Sequence, residues 1–439
     1  MDQKTYIRQL LPFLEESPTA FHAVHNICKL LADNGFRELQ ENKPWNIDAP
    51  GSYFIRRNGS SLVLFTLAND NFTQSGLRMA GAHTDSPALK IKPKPDIINH
   101  GLLQLGVETY GGALLDPWFD RDLSIAGRVT WRGDGSSIKN TLIDFKRPVA
   151  VIPSLAIHLN RETSEQKKVN KQTDVIPIIM QLDEDSSTDF ISILKEQLAG
   201  EHGISQAEIL DHELFLYDSQ PPATIGICHE FLTGARLDNL LSCFSLVAGL
   251  LATGNTQNSL IVLNDHEEVG SLSSPGAGGP FLQSTLERLI PDTESRKRCI
   301  SGSLMISADN AHAIHPNFAD RHDKNHLPRL NKGPVIKYNA NQRYATTSRT
   351  ASFFRLLAQQ ADVPVQEFVM RSDLACGSTI GPITAGAIGV QTLDIGVPSL
   401  AMHSIREMAG TMDGWYLYKT MRTFFTSLSE DTLWQCLAG

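Results

Sequence analysis

From residue 236 onward, apolar positions follow two alternating patterns. Spacings of three and four residues, typical of helices, alternate with short continuous apolar runs, typical of buried strands. The segments are, in chain order, RLDNLLSCFSLVAGLLA (helix), SLIVLN (strand), SGSLMISAD (strand), TASFFRLLAQQADV (helix), VQEFVM (strand), STIGPITAGAIG (helix), VQTLDIG (strand) and WYLYKTMRTFFTSL (helix). This alternation predicts an α/β fold with a mixed, mostly parallel sheet flanked by helices.

The N-terminal part of the chain predicts elements that belong to the same sheet. Residues 5–34 have the periodicity of two helices, and Ser17 and Pro18 are placed to cap and start the second one. Residues 61–67 and 76–83 are apolar runs typical of strands. We expect these elements to pack with the α/β segments that follow residue 236.

The pattern between these two parts is different. Short β-type runs dominate from about residue 96, with a polar, exposed loop predicted at 160–174 and a helix at 188–200. We therefore predict one α/β domain formed by residues 1–95 plus 232–439. An inserted β-rich domain is expected at 96–231.

Composition limits the classes of partner. The 439 residues are 41% hydrophobic and 20% charged, and the net charge is −9 with a pI near 5.9. An acidic chain does not favour nucleic acid or an anionic membrane, and no apolar run reaches the ~18 residues of a membrane helix. The six cysteines are widely scattered, which is typical of reduced thiols. We expect a cytoplasmic protein.

Acidic and histidine side chains follow most of the predicted strands. In open α/β sheets, ligands bind beyond the carboxyl ends of the strands, so these side chains are expected to meet at one edge. Each one alone has an ordinary explanation as a helix cap, a solvated pair or a loop histidine. The residues that follow strands are His83, Asp85, Asp265, His266, Glu267, Glu268, Asp309, His312 and His403, and Asp238 is added from the start of the helix predicted at 236–252.

Taken together, these residues predict a metal site. Carboxylates packed this closely must either keep protons or gain a cation. A mixture of imidazole and carboxylate ligands favours zinc, with cobalt or manganese as alternatives, over calcium or magnesium. Five or more ligands indicate two divalent ions, which usually share a bridging carboxylate and a water molecule.

Two local patterns assign roles within that site. In the sequence His83-Thr84-Asp85, the carboxylate is close enough to orient the ligating imidazole. Of the adjacent Glu267 and Glu268, one can bind metal while the other stays unligated beside the water. Metal coordination lowers the pKa of water, and a free carboxylate can move its proton to a leaving amine. This chemistry hydrolyses a peptide or amide bond.

Eight motifs along the chain resemble the M18 family of metallo-aminopeptidases, the aspartyl aminopeptidase group. The resemblance runs from near residue 17 to beyond residue 408. Its motifs are SPTAFHAV, GAHTDSPALKIKP, GVETYGGALLDPWFDRDLSIAGRV, ARLDNLLSCFS, NDHEEVGS, SADNAHAIHPNF, GPVIKYNANQRYAT and LAMHSIREM. It implies a catalytic domain of the zinc-exopeptidase type with an inserted domain that serves dimerisation and substrate access.

The resemblance also implies a role for each site residue. His83 and Asp309 would be terminal ligands of one metal ion, and Asp238 would bridge the two ions. The remaining assignments are Glu268 and His403 as ligands of the second ion, Glu267 as general base and Asp85 as the carboxylate that supports His83.

Family members remove a single N-terminal residue from peptides, often Asp or Glu. An acidic substrate side chain requires a cation, and Lys337 and Arg343 are the candidates, unless they pair with surface acids. The resemblance implies that His158 reaches the active site of a neighbouring subunit. It also implies a homo-oligomer, commonly a dodecamer built from dimers. Arg406 is expected to support Glu407 or its loop.

Two other functions are compatible with the residues alone. A carboxypeptidase or a deacylase would use the same metal chemistry on a different substrate end. A non-catalytic shell or scaffold protein could hold metal for structural reasons, although an unligated acid such as Glu267 has no use there. An aminopeptidase of different or broad specificity is a third alternative.

Overall fold

The protein is described here by a computed structural model, which covers residues 1–70, 72–133, 135, 137–159, 169–183 and 188–426. The chain divides into two compact units. The first consists of Met1–Asp85, Pro222–Met402 and the chain from Glu407 onward, and the second of Ser86–Pro221 and His403–Arg406. Of the loop predicted at 160–174, residues 160–168 lie outside the described residues.

The second unit begins at residue 86 rather than 96 and its main segment ends at 221 rather than 231. The N-terminal difference has a physical reason. The segment ALKIKPKPDIIN is a strand, but its lysines and two prolines hide the strand pattern. Its apolar side chains, Leu89 and Ile91, are buried in the core of the second unit.

Strands occur throughout the described residues. In chain order they are β1 (Arg37–Glu38), β2 (Gly51–Arg57), β3 (Ser61–Leu67), β4 (Arg78–His83), β5 (Ala88–Asn99), β6 (Leu102–Tyr110), β7 (Leu123–Arg132), β8 (Ile138–Asp144), β9 (Ile178–Gln181), β10 (Glu208–Asp218), β11 (Ala223–Ile225), β12 (Phe231–Gly234), β13 (Ser259–Asn264), β14 (Leu304–Ala308), β15 (Ala311–His312), β16 (Val335–Tyr338), β17 (Gln366–Val369), β18 (Gln391–Gly396), β19 (Pro398–Leu400) and β20 (Glu407–Gly410). They form three sheets, described below.

The α-helices of the described residues are, in chain order, α1 (Gln3–Glu15), α2 (Ala20–Asp33), α3 (Phe72–Ser75), α4 (Phe190–His202), α5 (Leu237–Leu251), α6 (Phe281–Leu289), α7 (Thr293–Ser301), α8 (Ser348–Gln360), α9 (Ile380–Ile388) and α10 (Asp413–Thr426). One predicted helix start is wrong. Thr19, not Ser17, is the N-cap of α2, and its side chain accepts the backbone N–H of His22. No helix in the described part of the chain is long and apolar enough to cross a membrane.

A nine-stranded sheet forms the centre of the first unit. Its order is β1-β2-β3-β13-β4-β14-β18-β16-β17. Five of the eight neighbouring pairs are parallel and three antiparallel, which confirms the mixed, mostly parallel sheet. The apolar run of β13 is explained by burial on both faces: Ile261 and Leu263 enter one hydrophobic cluster, and Leu260 and Val262 enter another.

A second, five-stranded sheet of the first unit was not predicted from the sequence. Its order is β11-β12-β20-β19-β15, and all five strands are only two to four residues long. The pairing of β12 with β20 places Gly234 opposite Glu407. This sheet therefore brings the segment before α5 close to Glu407, which follows Asp238 by 169 positions.

The second unit contains a six-stranded sheet in the order β8-β7-β10-β5-β6-β9, and all five neighbouring pairs of these strands are antiparallel. Helix α4 packs against it through the buried side chains of Phe190, Leu194 and Leu198. This architecture agrees with the β-rich pattern of the middle segment. The α4 helix begins at residue 190, two residues after the predicted start.

Candidate metal centre

Three neighbouring parallel strands deliver acidic and histidine side chains to one edge of the large sheet. Strand β4 ends at His83, which lies in register with Asn264 at the end of β13. Glu267 and Glu268 follow in a short 3-10 turn, and Asp309 comes directly after β14, on the other side of β4. The strand order therefore brings together side chains that are far apart in the sequence.

Asp238 reaches the same site from the start of α5. Asp238 and Asn239 have non-helical backbone angles, and the peptide bond between them is cis. Asp238 is 3% exposed, so its carboxylate is removed from bulk water. Nε2 of His83 lies 3.4 Å from an oxygen of Asp238 and 3.4 Å from an oxygen of Asp309.

These distances fit a shared metal ion. Ligand atoms at about 2.0–2.1 Å from a tetrahedral zinc ion are about 3.3–3.4 Å from one another. In addition, one ligand atom from each of His83, Asp238 and Glu268 lies within 4.8 Å of the other two. The imidazole and carboxylate donors are of the type that divalent transition metals prefer. The donor set and its spacing therefore match the predicted cofactor.

The electrostatics of the site show why it requires a cation. Burial and the neighbouring acids raise the pKa of Glu267 to about 8, although His83 opposes the shift. Burial and the charge of Asp238 raise the pKa of Glu268 well above its usual value. Burial lowers the pKa of His83, but hydrogen bonds to Asp238 and other acids more than reverse this and raise it. Without a metal ion, the cluster keeps protons on groups that are usually ionised.

Asp85 connects two parts of the site. Its carboxylate accepts the backbone N–H groups of Glu267 and Glu268, both at 3.1 Å. Nδ1 of His83 lies 3.0 Å from the backbone carbonyl oxygen of Asp85 and 3.5 Å from its carboxylate. Asp85 thus fixes the imidazole from one side and the glutamate turn from the other.

The two predicted substrate-binding cations have different surroundings. Lys337 is 2% exposed, and its Nζ lies 3.5 Å from an oxygen of Asp309 and 5.3 Å from the centre of the Tyr344 ring. Burial raises the pKa of Asp309, but the charge of Lys337 and the bond to His83 bring it well below its usual value. Arg343 is exposed, and its described contacts are made by its backbone.

His403 and His158 belong to the second unit. Nδ1 of His403 lies 3.3 Å from the carbonyl oxygen of Gly112, and its own carbonyl accepts the N–H of Leu114. His158 lies in an exposed 3-10 turn, Ile157–Leu159. Arg406 donates to the carbonyl oxygens of Gln220 and Pro221, at 3.5 Å and 3.2 Å. The roles of His403 and His158, like those of the other predicted site residues, stay predictions.

A family model described as "Aminopeptidase I zinc metalloprotease (M18)" matches residues 13–425. The chain belongs to the M18 family. The protein is therefore a metal-dependent aminopeptidase, and the matching family is described as one of zinc metalloproteases.

Relatives and solved structures are similar to this M18 chain over nearly its whole length. A probable M18 family aminopeptidase 2 of Stutzerimonas stutzeri is 53% identical over 418 residues, 95% of this chain and 97% of the relative. The corresponding protein of Pseudomonas paraeruginosa is 54% identical over the same shares of the two chains. A cryo-EM structure of the Ape4 and Nbr1 complex has a TM-score of 0.93 at 36% identity, covering 96% of this chain and 86% of the other.

A structure of the mApe1 dodecamer from S. cerevisiae has a TM-score of 0.82 at 29% identity and covers 96% of both chains. An M18 aminopeptidase from Thermotoga maritima, at 22% identity, has a TM-score of 0.85 and covers 97% of both chains. These structures confirm the α/β fold of the M18 chain. The dodecameric state is a property of the yeast protein.

Sequence reasoning missed two residues that contact the backbone next to the predicted metal ligands Asp238 and Asp309. Glu407 accepts the backbone N–H of Asp238 at 2.9 Å, and the side chain of Asn239 donates to the carbonyl of Ala308 at 2.8 Å. Neither contact has a local signal, because the partners are 169 and 69 residues apart. The expected link between Arg406 and Glu407 was the nearest clue.

Proposed function

We propose that the protein binds two divalent metal ions, zinc in the first place, and removes one N-terminal residue from peptides. The observation that carries the proposal is the convergence of His83, Asp238, Glu268 and Asp309 beside Glu267. His403 completes the proposed ligand set on the basis of the family resemblance. No other cluster of three potential ligands is found among the described residues.

The side chains of the chain have separate roles in this reaction. The metal ions, when bound, supply Lewis-acid chemistry, which lowers the pKa of coordinated water and polarises a carbonyl group. Glu267 takes up a proton from the attacking water and donates it to the amine that leaves. Asp85 keeps Glu267 in place through the backbone N–H bond described above. Burial of Glu267 makes its carboxylate basic enough for this proton transfer.

We propose a preference for N-terminal Asp or Glu. Support comes from Lys337, a buried ammonium group 3.5 Å from the ligand Asp309. A metal ion bound at Asp309 would share its negative charge, so Lys337 could then pair with a substrate carboxylate. Arg343 is exposed and is the weaker candidate.

We also propose a homo-oligomer, built from dimers into a dodecamer, with the second unit serving dimerisation and substrate access. The dodecameric yeast relative supports the assembly. His158, exposed in this single chain, would act at the active site of a neighbouring subunit.

A cytoplasmic location is supported by the free state of Cys28, Cys228, Cys243, Cys299 and Cys376.

One experiment tests the metal and the substrate together. The purified protein is analysed for metal content and assayed with a panel of aminoacyl anilides, before and after a chelator. We expect two ions per chain, loss of activity with the chelator, recovery with zinc, cobalt or manganese, and fastest turnover of Asp and Glu anilides. A single ion per chain contradicts the two-ion centre, and equal rates for neutral substrates contradict the acidic preference.

A further inference from the structure

We propose that Glu407 and Asn239 are positioning residues for the predicted bridging ligand Asp238. Both act on the backbone that carries Asp238, and neither belongs to the predicted ligand set. The inference rests on the proposed function, because it concerns how one ligand of the proposed metal centre is held.

The backbone around Asp238 cannot hold itself in place by helical hydrogen bonds. Arg236 has a left-handed conformation, with φ of 60°. Asp238 has φ −83° and ψ 102°, and Asn239 has φ −128° and ψ 23°, so regular α5 geometry begins only after them. The first N–H groups of a helix have no intrahelical acceptor, and a buried N–H requires one. Some other group must therefore accept the N–H of Asp238.

Glu407 supplies this acceptor. Its Oε2 lies 2.9 Å from the backbone nitrogen of Asp238, and its side chain is 2% exposed. Glu407 is itself fixed, since it starts β20 and pairs with Gly234 of β12. A buried N–H that loses its acceptor costs about 1–3 kcal/mol. Glu407 thus fixes the backbone from which the Asp238 carboxylate projects.

Asn239 makes the second connection. Its Nδ2 donates to the carbonyl oxygen of Ala308 at 2.8 Å, in a fully buried position. Ala308 is the last residue of β14 and is followed directly by Asp309. The Asn239 amide therefore joins the backbone of one predicted ligand to that of another. The two carboxylates are each 3.4 Å from the same His83 nitrogen, so a shift of either backbone would change the ligand geometry.

The chemical identity of Glu407 supports a role in positioning. Its carboxylate oxygen accepts the buried N–H of Asp238, which an apolar side chain of similar size could not do. A side chain with an acceptor oxygen at this position is therefore explained by the need to hold the Asp238 backbone. Residues that orient metal ligands in this way typically change metal affinity or activity about 10- to 100-fold when removed.

The test compares Glu407→Ala, Glu407→Gln and Asn239→Ala in the full chain. Zinc dissociation constants are measured by competition with a chelator, and the absorption spectrum of the cobalt-substituted protein reports ligand geometry. We expect zinc binding to weaken about 10- to 100-fold in both alanine variants, with a changed cobalt spectrum. Glu407→Gln should lose less affinity, because the glutamine oxygen still accepts the N–H of Asp238.

A matched control separates positioning from general stability. Asp413 is also a buried carboxylate that accepts backbone N–H groups, from Asn331 at 2.6 Å and Gly333 at 2.9 Å, and these residues are not predicted ligands. Asp413→Asn should lower the melting temperature and leave the zinc dissociation constant unchanged. An equal loss of zinc affinity in Asp413→Asn would overturn the inference.

The inference is also overturned if both alanine variants have zinc dissociation constants within about twofold of wild type. Removal of a residue that orients a metal ligand should change this constant by about 10- to 100-fold. If Glu407→Ala does not fold, Asn239→Ala alone decides by the same criterion. These constants do not depend on turnover. A wild-type protein that binds zinc but cleaves no aminoacyl substrate would reject the proposed function and leave the positioning test intact.

Discussion

At the scale of single residues, the main question is why buried acids gather around one imidazole. His83 lies 3.4 Å from both Asp238 and Asp309, and Glu268 lies within 4.8 Å of His83 and Asp238. Such a group is unfavourable unless protons or a cation compensate the charge. The two proposed divalent cations would account for these four side chains, which belong to the proposed ligand set, and would leave Glu267 available for proton transfer.

Glu267→Gln tests that remaining role. Glutamine keeps the size and the backbone bond to Asp85 but cannot take up a proton. We expect kcat to fall by about 10²- to 10⁴-fold, while metal content and melting temperature stay near wild type. Glu287→Gln, an exposed site on α6, is the control and should keep full activity. Near-normal turnover in Glu267→Gln would remove the general-base assignment.

Lys337→Met tests the proposed substrate preference. Methionine keeps much of the volume and removes the charge, and bonds to charged groups contribute about 1.5–3 kcal/mol. We expect the ratio of kcat/KM for the Asp anilide to kcat/KM for the Ala anilide to fall about 10- to 100-fold. Because Lys337 also contacts Asp309, metal content is measured in parallel. Arg343→Met is the comparison variant, and equal losses on both substrates would exclude Lys337 from the pocket.

At the scale of elements, the predictable part of the site lies at strand ends. The apolar runs of β4, β13 and β14 end at or shortly before the histidine and acidic residues of the site. The sequence pattern therefore predicts both the strand and the candidate ligands that follow it. The link from Glu407 to Asp238 could not be predicted, because it depends on how the short β20 pairs with β12. Strands of two to four residues carry too little periodicity to be recognised.

Gly396 in β18 shows how a neighbouring strand limits the position of Asp309. A Cβ atom at Gly396 would lie 2.0 Å from the carbonyl oxygen of Asp309 and 2.8 Å from the nitrogen of Ala311. We expect Gly396→Ala to displace this segment, lower stability by about 1–3 kcal/mol and weaken zinc binding. The measurements are the melting temperature and chelator competition.

Gly386 in α9 provides the control for this prediction. A Cβ atom there meets nothing within 4 Å, and the residue is exposed. Gly386→Ala should therefore be neutral or stabilise the protein by about 0.5–1 kcal/mol, because alanine favours the helix. If Gly396→Ala behaves like Gly386→Ala, the segment that carries Asp309 is not constrained by β18.

At the scale of the whole molecule, the fold class was predictable because alternating helices and strands leave few arrangements. The mixed sheet follows from that alternation. The boundaries of the second unit were harder to predict, since β5 contains lysine and proline where a typical strand has none. The sequence predicts well which positions of a helix or strand are buried. It does not predict which distant strands pair, because that depends on the complete tertiary structure.

The acidic site also links metal binding to the stability of the whole molecule. In the metal-free protein, burial raises the pKa of Glu267 from 4.5 to about 8 and that of Asp265 from 3.8 to about 6. A raised folded-state pKa gives stability that is fully present below the unfolded value and is lost as the pH rises through the folded value. The metal-free protein should therefore lose stability between about pH 5 and pH 8.

Metal ions bind the ionised carboxylates and remove this loss, so the increase in melting temperature caused by zinc should be larger at pH 8 than at pH 5.5. The measurement is thermal unfolding with excess zinc and with a chelator at each pH. Burial also raises the pKa of Asp413, to about 7, but this group is present in both samples and cancels in the difference. An increase that is the same at both pH values, or larger at pH 5.5, would mean that the cluster does not hold its protons in the metal-free fold.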